Sequence, residues 1–348
     1  MSAIRVCASV ASRGVALDIE LAAGQSTAVI GPNGAGKSTL IELISGLLRP
    51  SSGTVQIGSE TVAAAAGAFV PAHRRDIGLL AQDPLLFPHL TVLENVMFGL
   101  RARGVSRAAA RAAAYKKLAR LGCSDLAENS AAEVSGGQGQ RIGLARALAP
   151  QPRVLLLDEP LAALDAVTAP HMRELLRENL AGRTTVVVTH DLLDVLVLAD
   201  QLAVLNEGRV VAHGPTQEIL AQPRNEFLAE FLGVNVLAGE LRGAQLELAP
   251  GVVVRGIPAR EGASGAGWAS FPATAITLHR HAPAGSARNE LEAQVVAIGP
   301  RGPVVRVTCD LAGQQVAADV TSQAVAQLEI TVGGRVLLGI KATAVALY

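Results

Sequence analysis

Gly31-Pro32-Asn33-Gly34-Ala35-Gly36-Lys37-Ser38-Thr39 decides how the rest of this chain is read. An apolar run, Ala28-Val29-Ile30, precedes it, and a helical pattern, Leu40-Ile41-Glu42-Leu43-Ile44, follows it. Strand, glycine loop, helix is the context in which the spacing G-x-x-x-x-G-K-S binds phosphate. The glycines let backbone N–H groups turn toward an anion with no side chain in the way, and the helix N-terminus adds a positive dipole end. Lys37 brings a mobile charge to the β- and γ-phosphates of a nucleotide, and Ser38 offers a hydroxyl to Mg²⁺.

Four further pieces lie downstream. Val154-Leu155-Leu156-Leu157 reads as a buried strand that delivers Asp158 and Glu159 to its C-terminal end, where ligands bind in open α/β sheets. Asp158 is expected to hold Mg²⁺ through water, and Glu159 to polarise the water that attacks the γ-phosphate. Ser135-Gly136-Gly137-Gln138 opens a helix expected over 137–149 and forms a second backbone anion cradle. Gln82 follows the short strand Ile77-Gly78-Leu79-Leu80, and His190 follows the apolar run Thr185-Val186-Val187-Val188. Taken alone, His190 reads as an ordinary strand-end histidine.

In this order the motifs resemble the ATP-binding-cassette (ABC) family of P-loop NTPases. The family signature is Leu-Ser-Gly-Gly-Gln, and here Val134 replaces the leucine at a packing position. The resemblance implies ATP and Mg²⁺ as cofactors, with Gly31 to Thr39 around the phosphates and Mg²⁺ held by Ser38, Gln82 and Asp158. Glu159, His190 and Gln82 are the implied catalytic set, with His190 touching the γ-phosphate and Gln82 on the link to a membrane partner. Ala163-Leu164-Asp165 resembles the segment that crosses between subunits. The resemblance further implies a head-to-tail homodimer, each ATP lying between the phosphate loop of one copy and Ser135, Gly136, Gly137 and Gln138 of the other. The chain departs from the family in one respect: no Phe, Tyr or Trp precedes Phe69 to stack on adenine, leaving Arg13 or Val15 to lie against the base.

Composition bounds the alternatives. The 348 residues suffice for two or three domains. Charged residues make up 17% and net charge is zero, with no basic run, so a nucleic-acid-binding surface is not expected. Half the residues are hydrophobic, yet no apolar stretch reaches the roughly 18 residues needed to span a bilayer. The N-terminus has no signal-peptide core, and Cys7, Cys123 and Cys309 are scattered without metal-ligand spacing, as reduced thiols would be. The expected location is cytoplasmic, peripheral to the inner face of the cell membrane.

The expected fold is an α/β P-loop NTPase of ABC type over 1–234, with a helical subdomain at about 83–150, then an all-β domain over 235–348. Residues 1–27 read as two antiparallel strands, 41–48 as the helix after the loop, 54–58 as a strand and 91–121 as helical. Leu202 to Leu205 and Val210 to Ala212 read as a hairpin around Asn206-Glu207-Gly208. From about 235 many short strands alternate with Gly and Pro turns, and 281–287 reads as a linker.

Pro71 to Gly78 and Gln82 to Val96 resemble ATPase subunits of bacterial binding-protein-dependent importers. That implies transmembrane permease subunits as partners and, through them, a substrate-binding protein; Phe87, Pro88 and Met97 are expected to line the groove for the permease. Ser286-Ala287-Arg288-Asn289-Glu290-Leu291 and Gly339-Ile340-Lys341-Ala342-Thr343 resemble an OB-like molybdate-binding module of TOBE/Mop type, its half at 286–348. Ser286, Arg288, Lys341 and Ala342 are the implied oxyanion contacts, hydroxyl, guanidinium, ammonium and backbone N–H suiting a small dianion. The implied function is ATP-driven import, of molybdate first. Another oxyanion such as sulfate or tungstate, a sugar, a polyamine, or a cassette ATPase outside transport are the alternatives.

Overall fold

The structure is a computed structural model that describes residues 2–260, 262–281 and 288–348. The chain separates into two compact units, Met1–Ile219 and Leu220–Tyr348.

The first unit carries β1 (Ser2–Val10), β2 (Val15–Ala22), β3 (Ser26–Ile30), α1 (Lys37–Ser45), β4 (Ser52–Ile57), β5 (Glu60–Ala64) and β6 (Ile77–Leu80). The chain continues through α2 (Val92–Ala102), α3 (Arg107–Arg120), α4 (Gly136–Leu148), β7 (Val154–Asp158), α5 (Thr168–Leu180), β8 (Thr184–Val188), α6 (Leu192–Leu198), β9 (Gln201–Asn206) and β10 (Arg209–Pro215). One sheet is antiparallel, ordered β2-β1-β4-β5; β2 alternates buried and exposed residues, as a strand with one wet face must. The other is ordered β10-β9-β3-β8-β7-β6 and is parallel except for the hairpin strand β10.

The parallel strands are buried on both faces, and their side chains divide by alternation between two cores. Leu155, Leu157 and Val187 join the core under α2 to α5, while Val154, Leu156, Val186 and Val188 join the core with α1 and the antiparallel sheet. This two-sided burial explains why β7 and β8 read as unbroken apolar runs.

The stretch expected to be helical over 91–121 is two helices. Gly104 takes a left-handed φ of 80°, and Ser106 caps the second helix by accepting from the N–H of Ala109. Thr91 and Glu94 form a capping box at the start of the first.

Arg75, in the stretch Pro71 to Gly78, is 5% exposed with no carboxylate partner among the described residues. Its guanidinium donates instead to four carbonyls: Leu43 O at 2.7 Å and Ile44 O at 2.9 Å in the last turn of α1, Val62 O at 3.2 Å and Val70 O at 2.7 Å. A cation on the C-terminal carbonyls of α1 suits the negative end of that helix. The residue also fastens α1 to the segment that leads into β6.

The second unit begins within the short helix α7 (Thr216–Ala221) and continues with α8 (Glu226–Leu232). Leu228 and Ala229 of α8 are buried, and the helix packs on β11, so the division falls earlier than the boundary at 234 drawn from sequence texture. The strands are β11 (Val234–Arg242), β12 (Gln245–Ala249), β13 (Val252–Arg255), β14 (Ile257–Pro258), β15 (Ser264–Pro272), β16 (Ile276–His279), β17 (Asn289–Arg301), β18 (Val304–Leu311) and β19 (Gln314–Val320), then α9 (Ser322–Gln327), β20 (Arg335–Ile340) and β21 (Ala346–Leu347). They form sheets ordered β13-β12-β11-β15-β21-β14 and β16-β20-β17-β18-β19, antiparallel apart from the short pair β14 and β21. Leu237, Phe271, Val307, Val316 and Leu338 fill the shared core. Two side-chain amides imitate a ladder between the sheets: Asn235 exchanges hydrogen bonds with the backbone of Ala317, and Gln314 with that of Ala238.

Arg75→Met leaves Leu43 O, Ile44 O and Val70 O without the donor it supplied, while Val62 O keeps the N–H of Val70, and should lower the unfolding free energy by at least about 3 kcal/mol. Arg74→Met, at the exposed neighbour, should change it by less than about 0.5 kcal/mol. Urea denaturation of the full chain checks both.

Candidate functional site

Four parallel strands end side by side, and each end releases a residue singled out from the sequence. The registers place Val29 of β3 opposite Val188 of β8, Val188 opposite Asp158 of β7, and Leu157 opposite Leu80 of β6. The turn after β3 is the phosphate loop, β8 leads to His190, β7 ends in Asp158 and Glu159, and β6 leads to Gln82. A cleft of about 430 Å³ lies where they meet, lined by Asn33, Gly34, Gly36, Lys37, Ser38, Thr39, Gln82, Asp158 and Glu159, with Arg13 and Val15 on its wall.

Two glycines shape the loop. A Cβ on Gly31 would stand 2.2 Å from Leu205 O, so only glycine lets the loop leave β3 against β9. Gly36 caps α1 with φ 101°, and a Cβ there would press on Val15 at 3.3 Å. Ala35 is buried in the core, and Pro32 contributes only its carbonyl. Lys37 Nζ donates to Gly31 O at 2.7 Å and Pro32 O at 2.9 Å, which places its charge over the loop. Burial lowers the Lys37 pKa, opposed by the charges of Glu159 and Asp158.

Glu159 is the hub. Its Oε2 accepts from Gln82 Nε2 at 3.3 Å, and its Oε1 lies 3.3 Å from His190 Nδ1. Its backbone sits at φ 49°, a left-handed conformation that a glutamate adopts only at a cost. The N–H of Glu159 donates to Val188 O at 2.9 Å, so the bond to β8 holds that turn. Burial, then the charge of Glu159, pushes the Asp158 carboxyl above the ordinary range, with Lys37 opposing.

Asp158, Ser38 and Gln82 offer a sparse oxygen donor set. The described residues contain no cluster of three or more His, Cys, Asp or Glu side chains able to cage a metal. A hard cation completed by phosphate oxygens and water suits such a set, and two adjacent carboxylates, one with a raised pKa, favour its charge. Mg²⁺ therefore fits the residues present.

Ser135, Gly136, Gly137 and Gln138 do not line the cleft. They open α4 with a capping box, Ser135 Oγ accepting from Gln138 N at 3.4 Å and Gln138 Oε1 from Ser135 N at 2.9 Å; Ser135 and Gly136 are exposed. Asp165 is also outside the cleft, and accepts from Val167 N, Thr168 N and Thr168 Oγ1 just before and at the start of α5. Val134 is partly buried against the helical core, as its packing role requires.

Sequence reasoning missed the tie between these parts. Gln140 Nε2 donates to Gln82 O at 2.7 Å, and Arg146 donates to Leu85 O at 2.8 Å and to Pro84 O. Both residues lie on α4, so the helix opened by Ser135 also holds the segment after Gln82. Met97 does not line a groove there. It is 6% exposed in the helical core, and the next residue, Phe98, is the exposed one at 50%, its ring 4.6 Å from that of Phe87.

In the second unit the ladder pairs Asn289 with Ile340, which carries Arg288 and Lys341 to the same end of β17 and β20; Ala342 follows Lys341 into a 3₁₀ turn. Arg288 and Lys341 are exposed, and Ser286 lies outside the described residues. Trp268 packs beside Tyr348 at 6.5 Å between ring centroids.

Comparison with known proteins gives concordant results. A model of the ABC transporter family matches residues 15–162 and a TOBE domain model matches residues 285–347. The chain is 41% identical to the molybdenum import ATP-binding protein ModC of Mycobacterium tuberculosis, over 100% of this chain and 98% of that protein. It is 43% identical to the Fe(3+) ions import ATP-binding protein FbpC of Mesorhizobium japonicum, over 62% of this chain and 60% of that protein. With the putative 2-aminoethylphosphonate import ATP-binding protein PhnT of Salmonella typhimurium it shares 39% identity over 68% of this chain and 63% of that one. Among solved structures, an ATP-binding cassette dimer in a post-hydrolysis state with ADP and Pi matches at 30% identity and TM-score 0.54, over 58% of this chain and 89% of that one. The protein cbiO1 of Clostridium perfringens, part of the complex cbiONQ, matches at 30% identity and TM-score 0.55, over 63% and 91%.

The raised Asp158 pKa gives a pH test. A proton must leave Asp158 before the carboxylate can bind a cation, so affinity is full above that pKa and falls as pH drops through it. Glu159→Gln removes one of the causes that raise it, and should move the fall to lower pH. Mn²⁺ binding followed by electron paramagnetic resonance in the presence of ADP, across pH, checks the direction.

Proposed function

The chain belongs to the ABC transporter family, and we propose that within it the protein is the ATP-hydrolysing subunit of a molybdate importer. The convergence of the phosphate loop, Asp158–Glu159, Gln82 and His190 on neighbouring strand ends carries the reading. Lys37 and the backbone of Gly31 to Thr39 bind the β- and γ-phosphates. Ser38, Asp158 and Gln82 hold Mg²⁺, which when bound neutralises charge on those phosphates. Glu159, as general base, orients and polarises the attacking water while His190 contacts the γ-phosphate from the neighbouring strand end. Arg13 and Val15 form the wall for the base, since no aromatic residue precedes Phe69.

The Ser135 to Gln138 turn stands apart from the cleft, so the reading requires a second copy to bring that turn and Asp165 to the γ-phosphate. ATP binding then closes the homodimer, and hydrolysis releases it. No helix is long and apolar enough to cross a membrane among the described residues. The reading therefore places the chain on the cytoplasmic face of the membrane, held by permease subunits fed by a substrate-binding protein. The exposed Phe98 with Phe87, beside the segment after Gln82, receives the permease.

Full-length similarity to a molybdenum import protein supports the substrate, because the iron and phosphonate import relatives align with only about two thirds of the chain. We assign ATP chemistry to the first unit and an accessory role to the second, where Ser286, Arg288, Lys341 and Ala342 contact molybdate.

Glu159→Gln should reduce hydrolysis by at least about 100-fold and leave ATP binding intact, as loss of a general base does. Hydrolysis near the parent rate would overturn the role of Glu159. Calorimetric titration of the full chain with molybdate, tungstate and sulfate should show binding of the first two that Lys341→Ala abolishes. No binding of any of them would remove the substrate contact from the second unit.

A further inference from the structure

His190 is anchored by almost nothing of its own. Its imidazole is 72% exposed, and its one polar contact among the described residues is Glu159. Where the ring stands is therefore set by the backbone of Thr189 and Asp191, and both are tied to a single buried ion pair. Arg173 on α5 is 9% exposed and Asp194 on α6 is 4% exposed. Arg173 Nε donates to Asp194 Oδ1 at 2.8 Å, and Arg173 Nη2 to Asp191 Oδ2 at 3.2 Å. Thr189 Oγ1 donates to Asp194 Oδ2 at 2.8 Å and accepts from Asp191 N at 3.1 Å.

We propose that Arg173, through Asp194, is a positioning residue that sets His190 against Glu159. Buried ion pairs are poor stabilisers, because desolvation consumes most of their attraction; their best-attested use is to select one arrangement over its neighbours. Here the arrangement selected is that of a three-residue turn whose middle side chain is in solvent. The pair also has reach. Arg173 stands on α5, whose first residue, Thr168, donates its N–H to Asp165 Oδ1, so α5 links the Asp165 turn to the His190 turn. The inference rests on His190 acting at the γ-phosphate, as proposed above.

The test uses the full chain carrying Arg173→Met with Asp194→Leu, a pair that leaves no unpaired buried charge. Arg173→Lys, which keeps the charge but cannot span both carboxylates with a planar fork, is the second variant. Single-turnover ATP hydrolysis, ATP affinity and thermal unfolding are measured for each, alone and in a His190→Ala background. The apolar pair should slow hydrolysis about ten- to hundredfold, the usual cost of misplacing a reacting group, with ATP affinity and melting temperature near those of the parent. Arg173→Lys should fall between. In the His190→Ala background the same changes should cost less than about twofold, because residues that act through one another are not additive.

Three results would overturn the inference. Unchanged hydrolysis in both variants while His190→Ala is impaired would reject Arg173 alone. A loss in the His190→Ala background as large as in the parent would mean that Arg173 does not act through His190. Normal hydrolysis in His190→Ala itself would reject the role of His190 and this inference with it.

Discussion

Parallel strands that end together force their loops into one place. β6, β7, β8 and β3 are neighbours in the sheet and run the same way, so residues that follow them share one edge whatever their separation in sequence. Gln82, Glu159 and His190 each lie one or two residues past such an end, and Lys37 follows the loop that leaves β3. Nothing more is needed to bring them together than burial of the apolar runs that make the strands. The two-core division of Val154 to Leu157 is thus the physical origin of the site as well as of the fold. A shift of one residue in the pairing of β7 would exchange its two faces and carry Asp158 out of line with Val188.

Charge and backbone strain are concentrated at that edge. Asp158 is partly buried beside Glu159, and Lys37 reaches back to two carbonyls of its own loop. Each group is biased toward its neutral form by burial and toward its charged form by an opposite neighbour, so an added phosphate and cation would relieve both at once. The left-handed φ of Glu159 costs conformational energy, and it coincides with the residue whose two carboxylate oxygens reach Gln82 and His190. The strain at Glu159 adjoins the electrostatic imbalance at Asp158 and Lys37, as expected where the sequence serves chemistry before stability.

What could be read from the sequence was what the chain writes locally. Lys37, Ser38, Asp158 and Ser135 were legible because a loop, a strand end or a helix cap needs only neighbouring residues. Arg75, Gln140 and Arg173 were not, since their partners lie far along the chain at Leu43, Gln82 and Asp194, and a lone Arg or Gln on a helix reads as solvated. Helical phase explains the exchange of Met97 for Phe98. Neighbours on a helix point about 100° apart, so a one-residue error moves a side chain from groove to core. The break at Gly104 was written in the chain, but the Ala-rich pattern on both sides hid it behind a continuous helical signal. The two side-chain amides that join β11 to β19 could not be foreseen, because asparagine and glutamine in a strand carry no mark of which carbonyl they will meet.

The turn at Ser135 bears on how the parts would act together under the proposed head-to-tail reading. Its capping box satisfies Ser135 N and Gln138 N within the turn, while the first N–H groups of any helix have no acceptor of their own. Those of Gly136 and Gly137, without side chains in the way, can meet an anion supplied from outside. The same helix holds Gln82 through Gln140 and the following segment through Arg146. Whatever engages the start of α4 therefore acts on a rigid body that also carries the backbone of a cleft residue. A γ-phosphate bound between two copies would pull on Gln82 in the copy whose own cleft it does not occupy. Within such a dimer each site would be coupled to the other by one helix, and the segment from Gln82 to Phe98 would move with it.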